Sequence, residues 1–140
     1  MFLHRWSDQT YAAMRIIVGL LFFEHGSSKL LSFPVPPPPG IPPLIAYGAG
    51  GIELFCGALI TLGALTHWAA FIASGEMAVA YFMAHFPRGF FPLMNQGESA
   101  VLYCFVFLYI AARGAGIWSV DGARVSAASA AVAGDRASAV

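Results

Sequence analysis

Eight side chains in this sequence are titratable yet set in or beside long apolar runs: Arg15, Glu24, His25, Lys29, Glu53, Glu76, His85 and Glu98. On a helical wheel with Arg15 at zero, Gly19, Phe22, Gly26 and Lys29 fall within about 40° of it. That face carries a cation near each end and small residues between, so a second helix can approach closely at Gly19 and Gly26. Glu24 points roughly the opposite way and needs a different partner. Spread over three apolar stretches at similar depth, Glu24, Glu53 and Glu76 are too costly to leave facing hydrocarbon. They are expected to turn inward, paired or protonated. Only Arg15 and Lys29 stand on the first stretch to pair them. At least one carboxyl must therefore hold a proton or bond a ligand or water. A carboxyl kept from water near His25 or His85 is suited to exchanging protons with a quinol or a transported species. The bland alternative is a set of ion pairs that only hold helices together.

Other chemistry is weaker. Cys56 and Cys104 stand in separate apolar runs with no CxxC or Cys/His spacing, and read as inert packing thiols. His25 and His85 belong to one side of the bilayer, yet read as hydrogen-bonded interfacial histidines rather than a metal or haem pair. No metal site and no intrinsic cofactor is expected, and no independent catalytic motif is present.

The elements that must position these groups follow from composition. The 140 residues are 59% apolar and 10% charged, with seven cations and seven anions, and the mean hydropathy is +0.72. Soluble domains carry about 25% charged residues, so the chain reads as a membrane protein. Zero net charge gives no nucleic-acid footprint. Spans are expected at about 10–31, 44–65, 67–86 and 97–118. The first connector, SFPVPPPPGIPP at 32–43, holds seven of the nine prolines and reads as a stiff interfacial loop or a partner's docking surface. GAGG at 48–51, Gly57 and Gly63 make the second span a close-packing helix. Glu98 opens the fourth, where the helix dipole favours an anion. Residues 1–122 form the expected transmembrane domain. Residues 123–140 read as a flexible Ala/Ser-rich tail.

The expected fold is thus all-α: an integral membrane four-helix bundle with both termini on one side. That side holds Arg5, Arg113, Arg124 and Arg136, against Lys29 and Arg88 on the other, so cytoplasmic termini are expected. Trp6, Trp68 and Trp118 fall at span ends on the same side, as half of an aromatic belt. The expected location is the bacterial inner membrane, multi-pass.

The chain resembles the DoxX family of small four-helix membrane proteins. The resemblance rests on RIIVGLLFFEHGSSKLL at 15–31, GGIELFCGALITLGALTHWAAFIASGEMAVAYFMAH at 50–85 and NQGESAVLYCFVFLYIAARGAGIWSVDGAR at 95–124. Besides the groups above, Asn95, Gly97, Ser119 and Asp121 stand at matching positions. DoxX-like proteins are similar to the DoxD subunit of an archaeal thiosulfate:quinone oxidoreductase. Some relatives are linked to membrane-associated oxidoreductase complexes and oxidative-stress tolerance. The resemblance implies a bilayer location and, by analogy of fold, a quinone-linked role.

Three readings follow. In the first, the chain is a membrane subunit of a redox system, binding quinone in its polar pocket and receiving electrons through protein partners. In the second it is a non-enzymatic scaffold whose charges are structural. In the third it is a small-solute or proton pathway, which four helices can form only as an oligomer.

Overall fold

The computed structural model describes residues 2–37 and 39–138. These are all-helical, without a strand. After a 3-10 turn at His4–Trp6 come α1 (Ser7–Leu31), α2 (Pro43–Leu62) and α3 (Thr66–Ala80). A π turn (Tyr81–His85) and a 3-10 turn (Phe86–Arg88) extend α3. They are followed by the short α4 (Pro92–Asn95), α5 (Glu98–Arg113) and α6 (Val120–Ser138).

Sequence sets most of these ends. Pro43 starts α2, its fixed φ suiting a first helical turn. Gly63 ends it in the left-handed conformation, φ 67°. The expected fourth span runs five residues too far: Gly114 (φ 87°) and Gly116 (φ 64°) break α5, and Trp118 lies beyond it. The tail expected to be flexible is helical from Val120 to Ser138, consistent with its alanine content and the high helix propensity of alanine.

The surface is apolar and the interior partly polar. Phe55, Phe71, Phe82, Leu102 and Phe105 are exposed, while Arg15, Glu53, Thr66 and Asn95 are buried. Pro43–Leu62 and Thr66–Arg88 are each long and apolar enough to cross a membrane. Among the described residues two of the four expected spans meet both criteria. α1 carries Asp8, Arg15, Glu24 and Lys29, and the 16 residues of α5 reach only about 24 Å.

α1 packs along α2, α3 along α5, and α2 against α3. Glycine makes the first contact close. A Cβ on Gly19 would sit 2.7 Å from the Thr61 nitrogen, one on Gly26 2.7 Å from the Gly50 oxygen, and one on Gly57 2.5 Å from the Phe23 nitrogen. Phe22 of α1 meets Phe107 of α5 edge-on, with ring centroids 4.6 Å apart. Ala69, Ala70 and Ala73 fill the α3 side of this core.

Two polar clamps close the end opposite the first connector. Arg15, fully buried, was expected to meet a carboxylate. Instead its Nη1 donates to the Ile60 and Thr61 carbonyls at 2.5 and 2.8 Å, and its Nη2 to the Trp118 carbonyl at 2.8 Å. The reason is local. The last carbonyls of α2 lack intrahelical donors and form the negative end of its dipole, and a planar guanidinium serves several acceptors at once. In the second clamp, Asp121 accepts from the Leu65 N–H, the Thr66 N–H and the Thr66 hydroxyl at 3.1, 3.0 and 2.9 Å. It caps α3 from 55 residues away, in the place a local N-cap side chain would fill. Burial opposes ionisation of Asp121, but these three hydrogen bonds outweigh it and hold the carboxyl below its ordinary value.

Candidate functional site

The end of the molecule toward the first connector contains a cavity of about 640 Å³. Its walls come from α1 (Phe22, His25, Lys29), α2 (Ile52, Glu53), α3 and its π turn (Glu76, Met77, Met83, His85) and α5 (Ser99, Ala100, Tyr103). Gly40, Ile41 and Pro42 of the connector border it. The connector is tied down by the two serines before Lys29: Ser27 Oγ donates to the Phe33 carbonyl at 2.7 Å and Ser28 Oγ to the Val35 carbonyl at 2.8 Å. The EHGSSK stretch thus does two things. Its lysine enters the cavity and its serines hold the loop beside it.

Inside the cavity the charges are unequal in number. Lys29 Nζ donates to Glu53 Oε1. Glu53 is almost wholly buried, and its side chain comes from the α2 face that packs on α1. The other Glu53 oxygen, Oε2, is buried with no hydrogen-bond partner among the described residues. The same holds for Oε2 of Glu76. Two residues of a mostly apolar cavity wall thus each carry one buried oxygen without a partner among the described residues, and unpaired buried polar atoms are uncommon enough to need an occupant or a proton. His25 is exposed at the same wall, edge-on to Tyr103 with centroids 6.0 Å apart.

The π turn brings His85 to the cavity. Such wide turns concentrate at functional sites. His85 Nδ1 lies 3.1 Å from the Asn95 carbonyl and 3.2 Å from Arg88 Nη2. It can donate to the first or accept from the second, one at a time. Asn95 braces the turn. Its Nδ2 donates to the Gly89 carbonyl at 2.7 Å and to the Tyr81 hydroxyl at 3.3 Å, while its Oδ1 accepts from the Gly97 N–H at 2.8 Å.

Of the eight expected pocket residues, the structure brings five together: His25, Lys29, Glu53, Glu76 and His85. Three lie elsewhere. Arg15 is at the other end of α1, on the carbonyls of α2. Glu24 is exposed on the outer side of α1, half a turn from the face that packs on α2. Glu98 is exposed in the first turn of α5 and does not line the cavity. Its position satisfies the α5 dipole and gives it no inward reach. Sequence reasoning missed Tyr103 and Ser99. The signal for Tyr103 was available, since Ala100, Tyr103, Phe107 and Ile110 recur at three- and four-residue steps on α5. Among the described residues no three His, Cys, Asp or Glu side chains gather as a metal set. Cys56 is buried, Cys104 is half-buried, and both are free thiols.

These residues lie in a chain with recognisable relatives. A family model described as DoxX matches residues 11–86, which include the five cavity residues His25, Lys29, Glu53, Glu76 and His85. An uncharacterized protein of Haemophilus influenzae is 41% identical over 127 residues, covering 85% of this chain and 93% of the relative. No solved structure matches the chain. With its apolar surface, two helices fit to cross a bilayer, and a family match over more than half its length, the chain belongs to the DoxX family of membrane proteins.

Proposed function

We propose that this protein is a membrane subunit of a quinone-linked redox system, and that the cavity beside the first connector holds a quinone or quinol headgroup. The observation that carries this reading is that Glu53 and Glu76, each with one buried oxygen unpartnered among the described residues, both line a mostly apolar cavity. A volume of about 640 Å³ is in the ordinary range for small-molecule sites, about 300–1,000 Å³, and so is the mix of apolar walls with few polar groups. Lys29, held by Glu53, is a donor for a headgroup oxygen. Glu76 is the group that accepts or returns a proton there, and His85 leads from the cavity toward Arg88 and the surface. A bound quinone supplies two-electron, two-proton redox chemistry, and the electrons pass to or from a partner subunit.

The same reading takes α1, α2, α3 with its π turn, and α5 as a four-helix bundle in the bacterial inner membrane. Residues 1–122 form that unit, with both termini cytoplasmic. In support, Trp6, Trp68 and Trp118 all lie toward the Arg15 clamp and are exposed, as in an interfacial aromatic belt. The scaffold reading draws on the Arg15 clamp and the Lys29–Glu53 pair, but gives Glu76 no task. Calorimetric titration of the purified protein with a short-chain quinone tests the proposal. The wild type should bind, and Glu76→Gln should weaken binding about tenfold or more, as expected for a lost hydrogen bond to a charged group. Absence of wild-type binding contradicts it.

A further inference from the structure

We infer that the outer face of α1 seats a membrane-spanning helix of a different protein, one that brings a lysine or arginine to the depth of Glu24. This rests on the four-helix membrane reading proposed above, in which α1 is embedded, and not on quinone binding. Glu24 is exposed among exposed Ile17, Leu20 and Leu21, on the side of α1 turned away from α2. It lies seven residues before Leu31, the end of α1, about 10 Å along the axis. A glutamate side chain is too short to reach the surface from there as a lysine can. Ionisable groups inside membranes almost always face a partner or water rather than lipid.

Among the described residues no side chain pairs with it or bonds to it. Lys29 is on Glu53, Arg15 is on backbone carbonyls, and the Ser27 and Ser28 hydroxyls bond the connector. A second copy is the wrong occupant. Two-fold symmetry about the membrane normal sets equal depths side by side, so Glu24 would face Glu24. Charge complementarity therefore selects a helix of another sequence, apolar against Ile17, Leu20 and Leu21 and basic against Glu24. Polar contacts of this kind act as glue between transmembrane helices.

The test uses the full chain, acceptor-labelled, in proteoliposomes with donor-labelled leucine-rich transmembrane peptides. One peptide carries a single lysine at the depth of Glu24, and its control carries leucine there. Energy transfer should show the lysine peptide binding about tenfold more tightly than the control. Glu24→Leu should erase that difference. Glu24→Lys should transfer the preference to a peptide bearing glutamate. Both substitutions are on the exposed surface, so helicity by circular dichroism should be unchanged. Equal binding of both peptides by the wild type overturns the inference. So does a preference that survives Glu24→Leu, or self-association of the wild type that Glu24→Leu removes.

Discussion

Glu53 and Glu76 have the same side chain, line the same cavity and differ in what they touch. One oxygen of Glu53 is committed to Lys29, whereas Oε2 of Glu76 has no protein partner among the described residues. Their amide variants should therefore behave differently. Glu53→Gln removes the charge that holds Lys29, whose side chain is 21% exposed and can partly rehydrate. It should cost about 1–3 kcal/mol, below the usual figure for breaking a fully buried pair. Glu76→Gln should change stability by no more than about 0.5 kcal/mol while weakening ligand binding. Thermal unfolding in detergent reads both, and equal destabilisation by the two would make Glu76 structural. The surplus of carboxyls over cations was legible from residue counts and depth. The partners were only half legible. Lys29 meets a carboxylate, but nothing in the spacing around Arg15 says that the end of α2 would present carbonyls to it. The exposure of Glu24 goes against the expectation that it turns inward, although nine residues at about 100° place it half a turn from Arg15.

Among the elements, the joint between α2 and α3 shows how distant sequence completes local structure. Residues 63–65 include two left-handed positions, Gly63 and Leu65, and α3 begins without a capping side chain of its own. Asp121 supplies the cap. Replacing it with asparagine keeps one acceptor but loses the charge and the second accepting oxygen, and should cost about 1 kcal/mol. The pH dependence has a definite sign. A carboxyl held below its ordinary 3.8 in the folded state stabilises the fold above that value. The contribution fades as pH falls through the lower, folded value. Unfolding midpoints followed from about pH 6 to about pH 2.5 should show an acid-side loss in the wild type that is reduced in Asp121→Asn. Equal losses in both would show that Asp121 is not the group involved. Helix existence was readable from apolar runs and proline and glycine punctuation. The π turn was not, because the contacts that accompany it, from Asn95 to Tyr81 and Gly89, run across the loop. The helicity of the tail was hidden by its lack of bulky side chains, although alanine content was the relevant signal.

Across the whole molecule, exposed phenylalanines and leucines surround an interior with a fully buried arginine and a nearly buried lysine–glutamate pair. Water does not stabilise such a surface over this much area, and lipid does. Within that setting the two ends are built differently. One is locked by Arg15 and Asp121 onto backbone groups, and the other holds a cavity bordered by the connector and a π turn. The locked end supplies rigidity, and the cavity end has polar atoms left over. Photolabelling with an azido-quinone in native membranes, followed by peptide mapping, tests the quinone assignment most directly. The label should fall on the Met77–His85 and Ser99–Tyr103 walls and be competed away by unmodified quinone. Label spread over the outward-facing Phe55, Phe71 and Phe105, uncompeted, would contradict it.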